Sequence, residues 1–594
     1  MIMRSIPRAI TIAIISAAGV VSLSVPTSAQ SDDYAARRDT IRAFFMHPDV
    51  GENYASATAR ILSEDHRADG IAMFDRLSQG TSPEIMERFR MTAAWVHARR
   101  FLPDTLNERI HYIWEQFPVR PFYGEHERVA YFSVLYLAVR LFPEDAAYFN
   151  GRSREANEQD ARGFLLHWMR EVTEKGQREF DSPTYAAVCV TSMLLLRDFI
   201  PDDDMRARAE LMAQWLLADF AHDHLNGNYV GAHGRENLLS AMQPISSEMS
   251  SISWLYFGDG PRLYSREQLL AALSDFRPHP AVVELATSRR DTFVSWERKR
   301  TEVRVRDNGL TPDDEDIIRY TYMHPLFAMG SIPGGLVQSR EQHSWDVTWI
   351  SYDPDRPATL FFMQPYADPD ALTPFLPHSE ELAFRNIGSL DPYWGALTKT
   401  VGGSPYEDVF QHRNTLIALY DIGDVTRFPV LTGFLPPKVD TMMVDSLDSG
   451  WITINAGDVY IGVYPFREYR ISDGMFGRRF ISRDRRNGVI VHAAGRSDAG
   501  AFEDFQRRIR STRPALTAFD SDARVTYTTI DGDVLDFTFG GKRTVNGTTP
   551  RMPADMLFSS RWLTSRTGSG ILTIHASSGD VHIDMNTLEI RSGD

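Results

Sequence analysis

Three short polar segments of the chain combine carboxylate, imidazole, phenol and guanidinium side chains within a few residues of one another. They are Gly124–Glu127, Glu179–Tyr185 and Tyr229–Asn237, and each lies beside a long apolar stretch. Side chains of these types transfer protons and bind carboxylates when they share a cleft. If helices bring the three segments to one end of a bundle, the sequence predicts a proton-transfer site there.

The third segment carries the groups that β-elimination next to a carboxylate requires. Such a reaction needs a base, a proton donor for the leaving oxygen, and a group that neutralises the carboxylate. We expect His233 to be the base, Tyr229 or Tyr185 to transfer the other proton, and Arg235 with Asn237 to bind the carboxylate. Structural roles remain open, because His233 could bond a loop carbonyl and Arg235 could pair with Glu236 or Glu179.

The first two segments supply further candidates. Glu125 and His126 come directly before an apolar helix, where an acidic residue also favours the positive end of the helix dipole. Helix capping does not explain the presence of His126. We expect His126 and its neighbour Glu125 to bind substrate. Glu179 has no capping role evident in the sequence and is expected to be catalytic. In its protonated form, Glu179 or Glu125 could also neutralise a substrate carboxylate.

A fourth group of candidates lies further along the chain. Tyr320, Tyr322 and His324 alternate in sequence near the change from helical to strand-like patterns. Clefts between domains often bind ligands, so we expect these three residues to reach the same site and contact substrate. The same alternation is typical of a buried strand.

The N-terminus predicts an exported protein. Arg4 and Arg8 precede an apolar stretch from Ala9 to about Val25, and Thr27–Ala29 provides the small residues that a signal peptidase accepts. We therefore predict a signal peptide over residues 1–29 and a periplasmic or secreted location. No later apolar stretch is long enough to cross a bilayer, so no stable membrane insertion is expected after signal removal.

Composition narrows the class of function. The 594 residues include a single cysteine, Cys189, which lies in an apolar stretch and is expected to be a buried thiol. The formal net charge of −16 argues against a nucleic-acid partner, which would need a basic surface. Arginines in a cleft can still bind an acidic polysaccharide, because charges act locally over about 8 Å at physiological salt. The sequence contains no feature that indicates an oligomeric state.

No recognised metal or cofactor motif stands out. The histidines lack the paired spacing of a zinc site, and the glycine-rich segments lack the lysine of a phosphate-binding loop. We therefore expect no cofactor and no metal at the site.

The patterns divide the mature chain into two domains. Apolar residues recur at helical spacing from about Tyr34 to Arg300, and short polar turns separate the helices. Alternating, strand-like stretches follow, separated by Gly-Asp, Asn-Gly and Ser-Gly turns. We predict an α+β multidomain protein with an N-terminal (α/α) helical toroid over residues 30–305 and a C-terminal antiparallel β-sandwich over residues 306–594. The charged segment 300–319 is expected to be a linker, with an ordered segment between the domains as the alternative.

Four phrases of the sequence resemble motifs of a known group of enzymes. They are Gly124–Glu127, Glu179–Tyr185, Ala232–Arg235 and Tyr320–Ser331. Together with the domain order, they are similar to the toroid-plus-sandwich polysaccharide lyases, which include heparinase II/III-like and chondroitin AC lyase-like enzymes, and to related secreted bacterial proteins. The resemblance spans about residues 90 to 350 and implies the same fold and a glycan substrate.

The sequence therefore favours an exported lyase that cleaves an acidic, uronate-containing polysaccharide by metal-independent β-elimination. A toroid-fold glycoside hydrolase is an alternative, with a carboxylate pair drawn from Glu125, Glu127, Glu179 and Asp181. A non-catalytic periplasmic glycan-binding protein is a second alternative, in which aromatic residues of Trp254–Phe257 would contact sugars.

Overall fold

A computed structural model describes most of the chain. The described residues are 34–80, 82–120, 124–236, 238–288, 291–300, 303–306, 309–312, 316–333, 342–351, 357–364, 404–424, 429–445, 449–473 and 477–593. The predicted signal peptide and Asn237 lie outside them.

The first part of the chain is helical. Its helices are α1 (Tyr34–Met46), α2 (Tyr54–Leu62), α3 (Arg67–Gln79), α4 (Ile85–Ala98), α5 (Asp104–Gln116), α6 (Glu125–Leu141), α7 (Arg154–Lys175), α8 (Ala186–Phe199), α9 (Asp203–His222), α10 (Leu238–Met242), α11 (Glu248–Phe257), α12 (Arg266–Leu273) and α13 (Pro280–Thr287). A short hairpin of β1 (His224–Leu225) and β2 (Asn228–Tyr229) separates α9 from α10.

The helices form a closed ring. Helices α2, α4, α6, α8 and α12 contact one another in that order, and α12 returns to contact α2. These inner helices are buried along most of their length, because apolar residues cover nearly all their faces. Helices α1, α3, α5 and α7 pack outside the ring and bury only one stripe. The predicted helical toroid is confirmed.

The remainder of the described chain is mainly antiparallel sheet. The strands up to residue 363 are β3 (Phe293–Arg300), β4 (Val303–Arg306), β5 (Gly309–Pro312), β6 (Asp316–Met323), β7 (Phe327–Ser331), β8 (Trp345–Trp349) and β9 (Thr359–Met363). Those up to residue 495 are β10 (Glu407–His412), β11 (Thr415–Asp421), β12 (Leu431–Leu435), β13 (Thr441–Val444), β14 (Ile452–Asn455), β15 (Val459–Pro465), β16 (Arg470–Asp473), β17 (Arg478–Ser482) and β18 (Arg486–Gly495).

Three short helices follow, Arg496–Ala499, Phe502–Ser511 and Phe519–Asp522. The last strands are β19 (Arg524–Thr528), β20 (Val534–Thr538), β21 (Arg543–Val545), β22 (Met556–Ser559), β23 (Leu563–Arg566), β24 (Ile571–Ala576), β25 (Gly579–Asp584) and β26 (Glu589–Ser592).

The strands assemble into stacked layers. The largest sheet among the described residues has thirteen strands in the order β16-β17-β12-β9-β8-β7-β6-β3-β22-β23-β24-β25-β26. A six-stranded sheet, β10-β11-β18-β15-β14-β13, packs on it through a shared apolar core that includes Trp345, Phe362, Leu416 and Ile461. The three-stranded sheet β19-β20-β21 shares a further core with the outer face of the six-stranded sheet. The predicted antiparallel sandwich is confirmed.

The thirteen-stranded sheet also packs against the toroid. Strands β22 to β25 contribute Leu557, Leu572 and Ile583 to the same core as the toroid helices. Between the domains, His233 pairs with His343 through two backbone hydrogen bonds of 2.9 Å. The two parts therefore share buried surface rather than being joined by a linker alone.

The change from helix to strand lies earlier in the chain than the expected boundary between residues 305 and 306. Helix α13 ends at Thr287, and β3, in the middle of the large sheet, begins at Phe293. The sequence of β3 is polar and shows no apolar strand pattern, because the strand contains charged residues. Their side chains are buried and form ion pairs between the sheet and the toroid and within the sheet. The described part of segment 300–319 is ordered, since it contains β4, β5 and part of β6.

Among the described helices, none combines the length and apolarity needed to span a bilayer.

Candidate active site

The first and second polar segments meet at the start of α6. Gly124 is the N-cap residue, and Glu125 and His126 open the helix. The loop before α8 brings Glu179 against this helix start. A Cβ at Gly124 would overlap the Oε1 atom of Glu179, so only glycine allows this close approach.

His126 and Glu179 form a buried hydrogen-bonded pair. Nδ1 of His126 lies 2.6 Å from Oε2 of Glu179, and the backbone N–H of His126 donates to the same oxygen at 3.0 Å. An ionised carboxylate only accepts hydrogen bonds, so Nδ1 carries the proton in this pair. The carboxylate thereby fixes both the tautomer and the orientation of the imidazole.

The second ring nitrogen of His126 is available for chemistry. Its Nε2 atom has no hydrogen-bond partner among the described residues and is not one of the fully buried atoms. The ring stacks on the half-buried ring of Tyr185, with centroids 3.9 Å apart. A neutral imidazole with Nδ1 protonated presents a lone pair on Nε2, which is the state a general base requires.

Arg235 completes the cluster from the third segment. Its Nε atom lies 3.1 Å from Oε1 of Glu179, and its guanidinium carbon lies 5.2 Å from the centre of the Tyr185 ring. The pairing with Glu179 was one of the alternatives open from the sequence. Guanidinium, imidazole, carboxylate and phenol thus occupy one small volume.

Burial would raise the pKa of Glu179, but the hydrogen-bonded His126 ring and the Arg235 guanidinium beside it outweigh burial and hold this pKa well below its usual range. Glu179 is therefore ionised at neutral pH and does not supply a protonated carboxyl for a substrate. Glu125 is occupied too, since its two oxygens accept from Trp168 Nε1 at 2.9 Å and from the backbone N–H of Glu179 at 2.8 Å.

The loops that carry these residues have unusual backbone conformations. Asp181 has φ 53° and Arg235 has φ 71°, a left-handed region that side chains other than glycine, asparagine and aspartate seldom adopt. Ser182 holds the two loops together, because its Oγ donates to the carbonyl of Arg235 at 2.9 Å and accepts from the N–H of Tyr185 at 3.1 Å. Backbone strain of this kind is often found at functional sites.

A second group of buried charges lies between the toroid and the large sheet. Lys299 Nζ contacts Asp181 and Asp219 at 2.8 Å, and Arg319 contacts Asp181 and Asp223 at 2.7 Å. Glu297 joins both cations, at 3.2 Å from Lys299 and 2.8 Å from Arg319. We call these six residues the interdomain charge network: Asp181, Asp219, Asp223, Glu297, Lys299 and Arg319.

The interdomain charge network has four carboxyl groups and two basic side chains. Protonation of some of the carboxyl groups reduces the excess of negative charge. Burial, with the nearby carboxylates, raises the pKa of Asp219 well above its usual range despite Lys299. Burial also raises the pKa of Asp223 to about 6, although Arg319 acts in the opposite direction. Burial would raise the pKa of Glu297 as well, but Arg319 and Lys299 hold it far below its usual range.

Two sets of acidic and histidine side chains in this region have ligand atoms within 4.8 Å of one another. They are His222, Asp223 and Glu297, and Asp181, Asp219 and Glu297. Lys299 or Arg319 already contacts the carboxylates of both sets, so the chain supplies its own cations there.

Tyr229 and His233, which the sequence placed in catalysis, lie against this network. The hydroxyl of Tyr229 donates to Asp181 at 2.8 Å, and burial raises the pKa of Tyr229 well above its usual range. Nδ1 of His233 donates to the carbonyl of Asp181 at 2.6 Å. Burial and the nearby Arg319 lower the pKa of His233 far below its usual range. Both side chains are almost fully buried, so the structure gives His233 the structural role that the sequence left open.

Tyr320, Tyr322 and His324 do not reach this cluster. Within β6, Arg319 points toward the toroid, and alternation turns Tyr320 and Tyr322 to the opposite face of the sheet, whereas His324 directly follows the strand. There the Tyr320 hydroxyl accepts the backbone N–H of Arg413 at 2.9 Å, and His324 Nε2 lies 3.0 Å from Asp498. Their expected position at the toroid cleft was wrong, because the register of β6 was not evident from the sequence.

Sequence reasoning missed Glu248, the first residue of α11. A backbone hydrogen bond of 3.0 Å from Met249 to Pro183 ties this helix start to the loop before Tyr185. Burial and the charge of Glu267 raise the pKa of Glu248 to about 8, while a hydrogen bond with Thr184 acts in the opposite direction. The sequence signal was weak, since Ser247 and Glu248 resemble an ordinary helix start.

No family model matches the sequence, and no protein of curated function matches it either. The structure is similar to a crystal structure of heparinase III, with 9% identity and a TM-score of 0.39 over 87% of this chain and 84% of that chain. It is also similar to heparan sulfate lyase HepC from Pedobacter heparinus, with 10% identity and a TM-score of 0.34 over 85% of this chain and 81% of that chain.

Proposed function

We propose that this protein is a lyase that cleaves an acidic, uronate-containing polysaccharide by β-elimination, and that His126 is the base. The observation that carries the proposal is the His126 ring, whose Nδ1 is held by Glu179 while Nε2 has no partner among the described residues. Arg235 and Tyr185 lie beside it. We also propose that residues 1–29 direct export to the periplasm or the medium.

Each group has a defined step in this reaction. His126 Nε2 accepts the proton from the carbon next to the substrate carboxylate, and Arg235 stabilises the negative charge that develops on that carboxylate. The electron pair of the broken C–H bond forms the new double bond as the C–O bond to the leaving sugar breaks. The Tyr185 hydroxyl donates its proton to the leaving oxygen and later regains one from His126 through solvent. No external oxidant, reductant or water is consumed.

Glu179 acts as a positioning residue. It keeps Nδ1 of His126 protonated and orients the ring, and its negative charge stabilises the imidazolium that forms when Nε2 takes up a proton. Arg235 partly neutralises the same carboxylate, which allows a second anion, the substrate, to approach.

A screen of alginate, glycosaminoglycan, ulvan and pectin tests the proposal. Elimination gives an unsaturated sugar that absorbs in the ultraviolet, so ultraviolet absorbance should rise together with new reducing ends. On any active substrate, His126→Ala should lower kcat by about 10²- to 10⁴-fold. Full activity of folded His126→Ala, combined with loss of activity in folded His233→Ala, would show that the base is assigned to the wrong residue.

A glycoside hydrolase is the second candidate, and Glu248 favours it. A carboxyl with a pKa of about 8 is protonated at neutral pH, as the acid of a glycosidase must be. Glu125 is poorly suited as its partner, because both of its oxygens accept hydrogen bonds within the protein. Reducing ends without ultraviolet absorbance, lost in Glu248→Gln, would establish the hydrolase.

A further inference from the structure

The sandwich contains a cavity of about 430 Å³ on the side of the large sheet that faces away from the toroid. Trp296 of β3 lies opposite Tyr320 of β6 in the sheet. The next pair along the strands, Glu297 and Arg319, belongs to the interdomain charge network on the toroid side. Side chains alternate between the two faces of a strand. The cavity is therefore separated from the His126 cluster by the sheet itself.

Aromatic side chains form one wall of this cavity. The rings of Trp296 and Tyr320 meet edge to face with centroids 4.6 Å apart, and Phe410 of β10 lines the same space. The Tyr320 ring is fixed, since its hydroxyl accepts the backbone N–H of Arg413. Rigid aromatic faces suit the C–H-rich faces of sugar rings and lose little conformational entropy on binding.

A second wall of the cavity is cationic. Lys542, Arg543 and Arg551 line the cavity, and no aspartate or glutamate is among the described lining residues. Arg543 is paired with Asp408, and Lys542 lies 3.6 Å from Asp536. Arg551 is exposed and has no acidic partner among the described residues. This wall therefore has an excess of positive charge in a protein whose net charge is −16.

A buried acceptor provides an independent sign of a ligand. The Nε2 atom of Gln411 donates to the carbonyls of Met329 and Arg413 at 2.7 and 2.9 Å. Its Oε1 atom is buried and has no partner among the described residues, although the residue lines the cavity. An acceptor left unpaired in this way is costly unless a donor such as a sugar hydroxyl reaches it.

From these features we propose that the cavity is a second saccharide site that binds one or two acidic sugar units, carboxylated or sulfated. The aromatic wall contacts the ring, Gln411 Oε1 accepts a hydroxyl, and Lys542 with Arg551 binds the anionic group. The volume lies within the range of about 300 to 1,000 Å³ that is usual for small-ligand sites. The choice of a sugar as the ligand rests on the proposed function, whereas the aromatic and cationic character of the cavity does not.

Binding can be measured on the full-length His126→Ala protein, in which turnover is expected to be about 10²- to 10⁴-fold slower. The probes are a sulfated uronate disaccharide, a non-sulfated uronate disaccharide and cellobiose as a neutral control. We expect the acidic disaccharides to quench the fluorescence of Trp296, and the quenching should saturate as their concentration rises. The signal from Trp296 is the difference in fluorescence between the protein that carries Trp296 and the same protein with Trp296→Phe. Lys542→Ser with Arg551→Ser should weaken this binding about tenfold and reduce its dependence on salt.

A matched double variant, Arg507→Ser with Arg561→Ser, removes two exposed arginines elsewhere and should leave the binding unchanged. Equal quenching by cellobiose, or unaltered binding in the Lys542 and Arg551 double variant, would overturn the proposal. The proposed function is tested separately, by turnover in the native protein. If the native protein turned over none of the polysaccharides, the proposed function would fail, whether or not the Trp296 signal saturates.

Discussion

At the scale of residues, the central feature is one imidazole held by one carboxylate. His126 and Glu179 lie fifty-three positions apart in sequence, yet Nδ1 and Oε2 are separated by 2.6 Å. Both residues were singled out from the sequence because neither was explained by capping. Their partnership was not predicted, since it depends on the loop before α8 reaching the start of α6.

We predict that Glu179→Gln lowers kcat by about 10- to 100-fold and changes KM less. The amide can still accept from Nδ1, but it cannot stabilise the imidazolium that forms during proton transfer. Steady-state kinetics on an active polysaccharide measure the split between kcat and KM. A kcat equal to that of the native protein would exclude the positioning role, and Glu127→Gln, directly after His126 in the first turn of α6, is the control.

At the scale of elements, the site depends on how tightly a loop packs on a helix start. Gly124 caps α6 with φ −154°, an extended conformation that any residue can adopt. Glycine is therefore needed at this position because it has no side chain, and not because of its backbone freedom. The carboxylate of Glu179 occupies the space that a side chain would fill. Sequence patterns located the helix but could not reveal this contact.

We predict that Gly124→Ala destabilises the protein and lowers activity together. Its Cβ would overlap Glu179 Oε1 and lie 3.0 Å from His126 Nδ1, so the pair must move apart. Overpacking of this kind costs about 1–3 kcal/mol. Gly163→Ala is the matched control, since nothing lies within 4 Å of its Cβ position within α7. Denaturant unfolding should show Gly163→Ala stabilised by about 0.5–1 kcal/mol, and equal stability of the two variants would contradict the packing argument.

At the scale of the whole molecule, the interdomain charge network joins the toroid to the large sheet. Lys299 and Glu297 come from β3, Arg319 from β6, and the acids Asp181 and Asp219 from the toroid. A buried charge whose partner is removed costs more than the pair contributes. The network therefore favours one docking geometry of the two domains, and this geometry also fixes the loop that carries Asp181 and the site.

We predict that Lys299→Met destabilises the protein by about 3–5 kcal/mol, because it leaves buried carboxylates without their ammonium partner. Lys175→Met is the control. Its ammonium pairs with Glu171 at 3.0 Å on a largely exposed side chain and should contribute less than about 1 kcal/mol. Denaturant unfolding of both variants measures the difference, and similar losses would show that the network does not stabilise the docked domains.

Stability should also depend on pH through Glu407, a buried residue of the sandwich. Burial raises its pKa to about 7, although hydrogen bonds from Ser344, Tyr420 and Trp345 act in the opposite direction. A raised pKa in the folded state means that folding favours the protonated form. The contribution of Glu407 is therefore complete below about pH 4.5 and is lost as pH rises toward about 7.

We predict that Glu407→Gln gains roughly 1–3 kcal/mol relative to the native protein between about pH 4.5 and pH 8. The amide oxygen can still accept from Trp345 Nε1 and Tyr420, and it carries no charge to desolvate. Thermal unfolding at several pH values measures the difference. The exposed Glu503→Gln serves as the control, and a pH-independent difference between native and Glu407→Gln protein would contradict the argument.

Much of the architecture follows from the sequence alone. Apolar periodicity predicts helices over residues 185–199 and 205–220, which are α8 and α9, and strand-like patterns that begin at Thr359, Thr415 and Val459, where β9, β11 and β15 begin. Local patterns determine such elements, because burial of one face requires apolar residues at the period of the helix or strand. The candidates His126 and Glu179 were found for a different reason, since they are polar residues for which capping gives no explanation.

Only the tertiary structure decided which candidates belong together. Tyr229 and His233 joined a buried charge network, Tyr320 and Tyr322 turned to the other face of the sheet, and His126 gained Glu179 as its partner. The charged strand β3 was read as part of the helical region, because its buried charges are satisfied only by partners from distant parts of the chain. Contacts of this kind depend on strand register and domain docking, which are set by long-range packing and leave no periodic signal in the sequence.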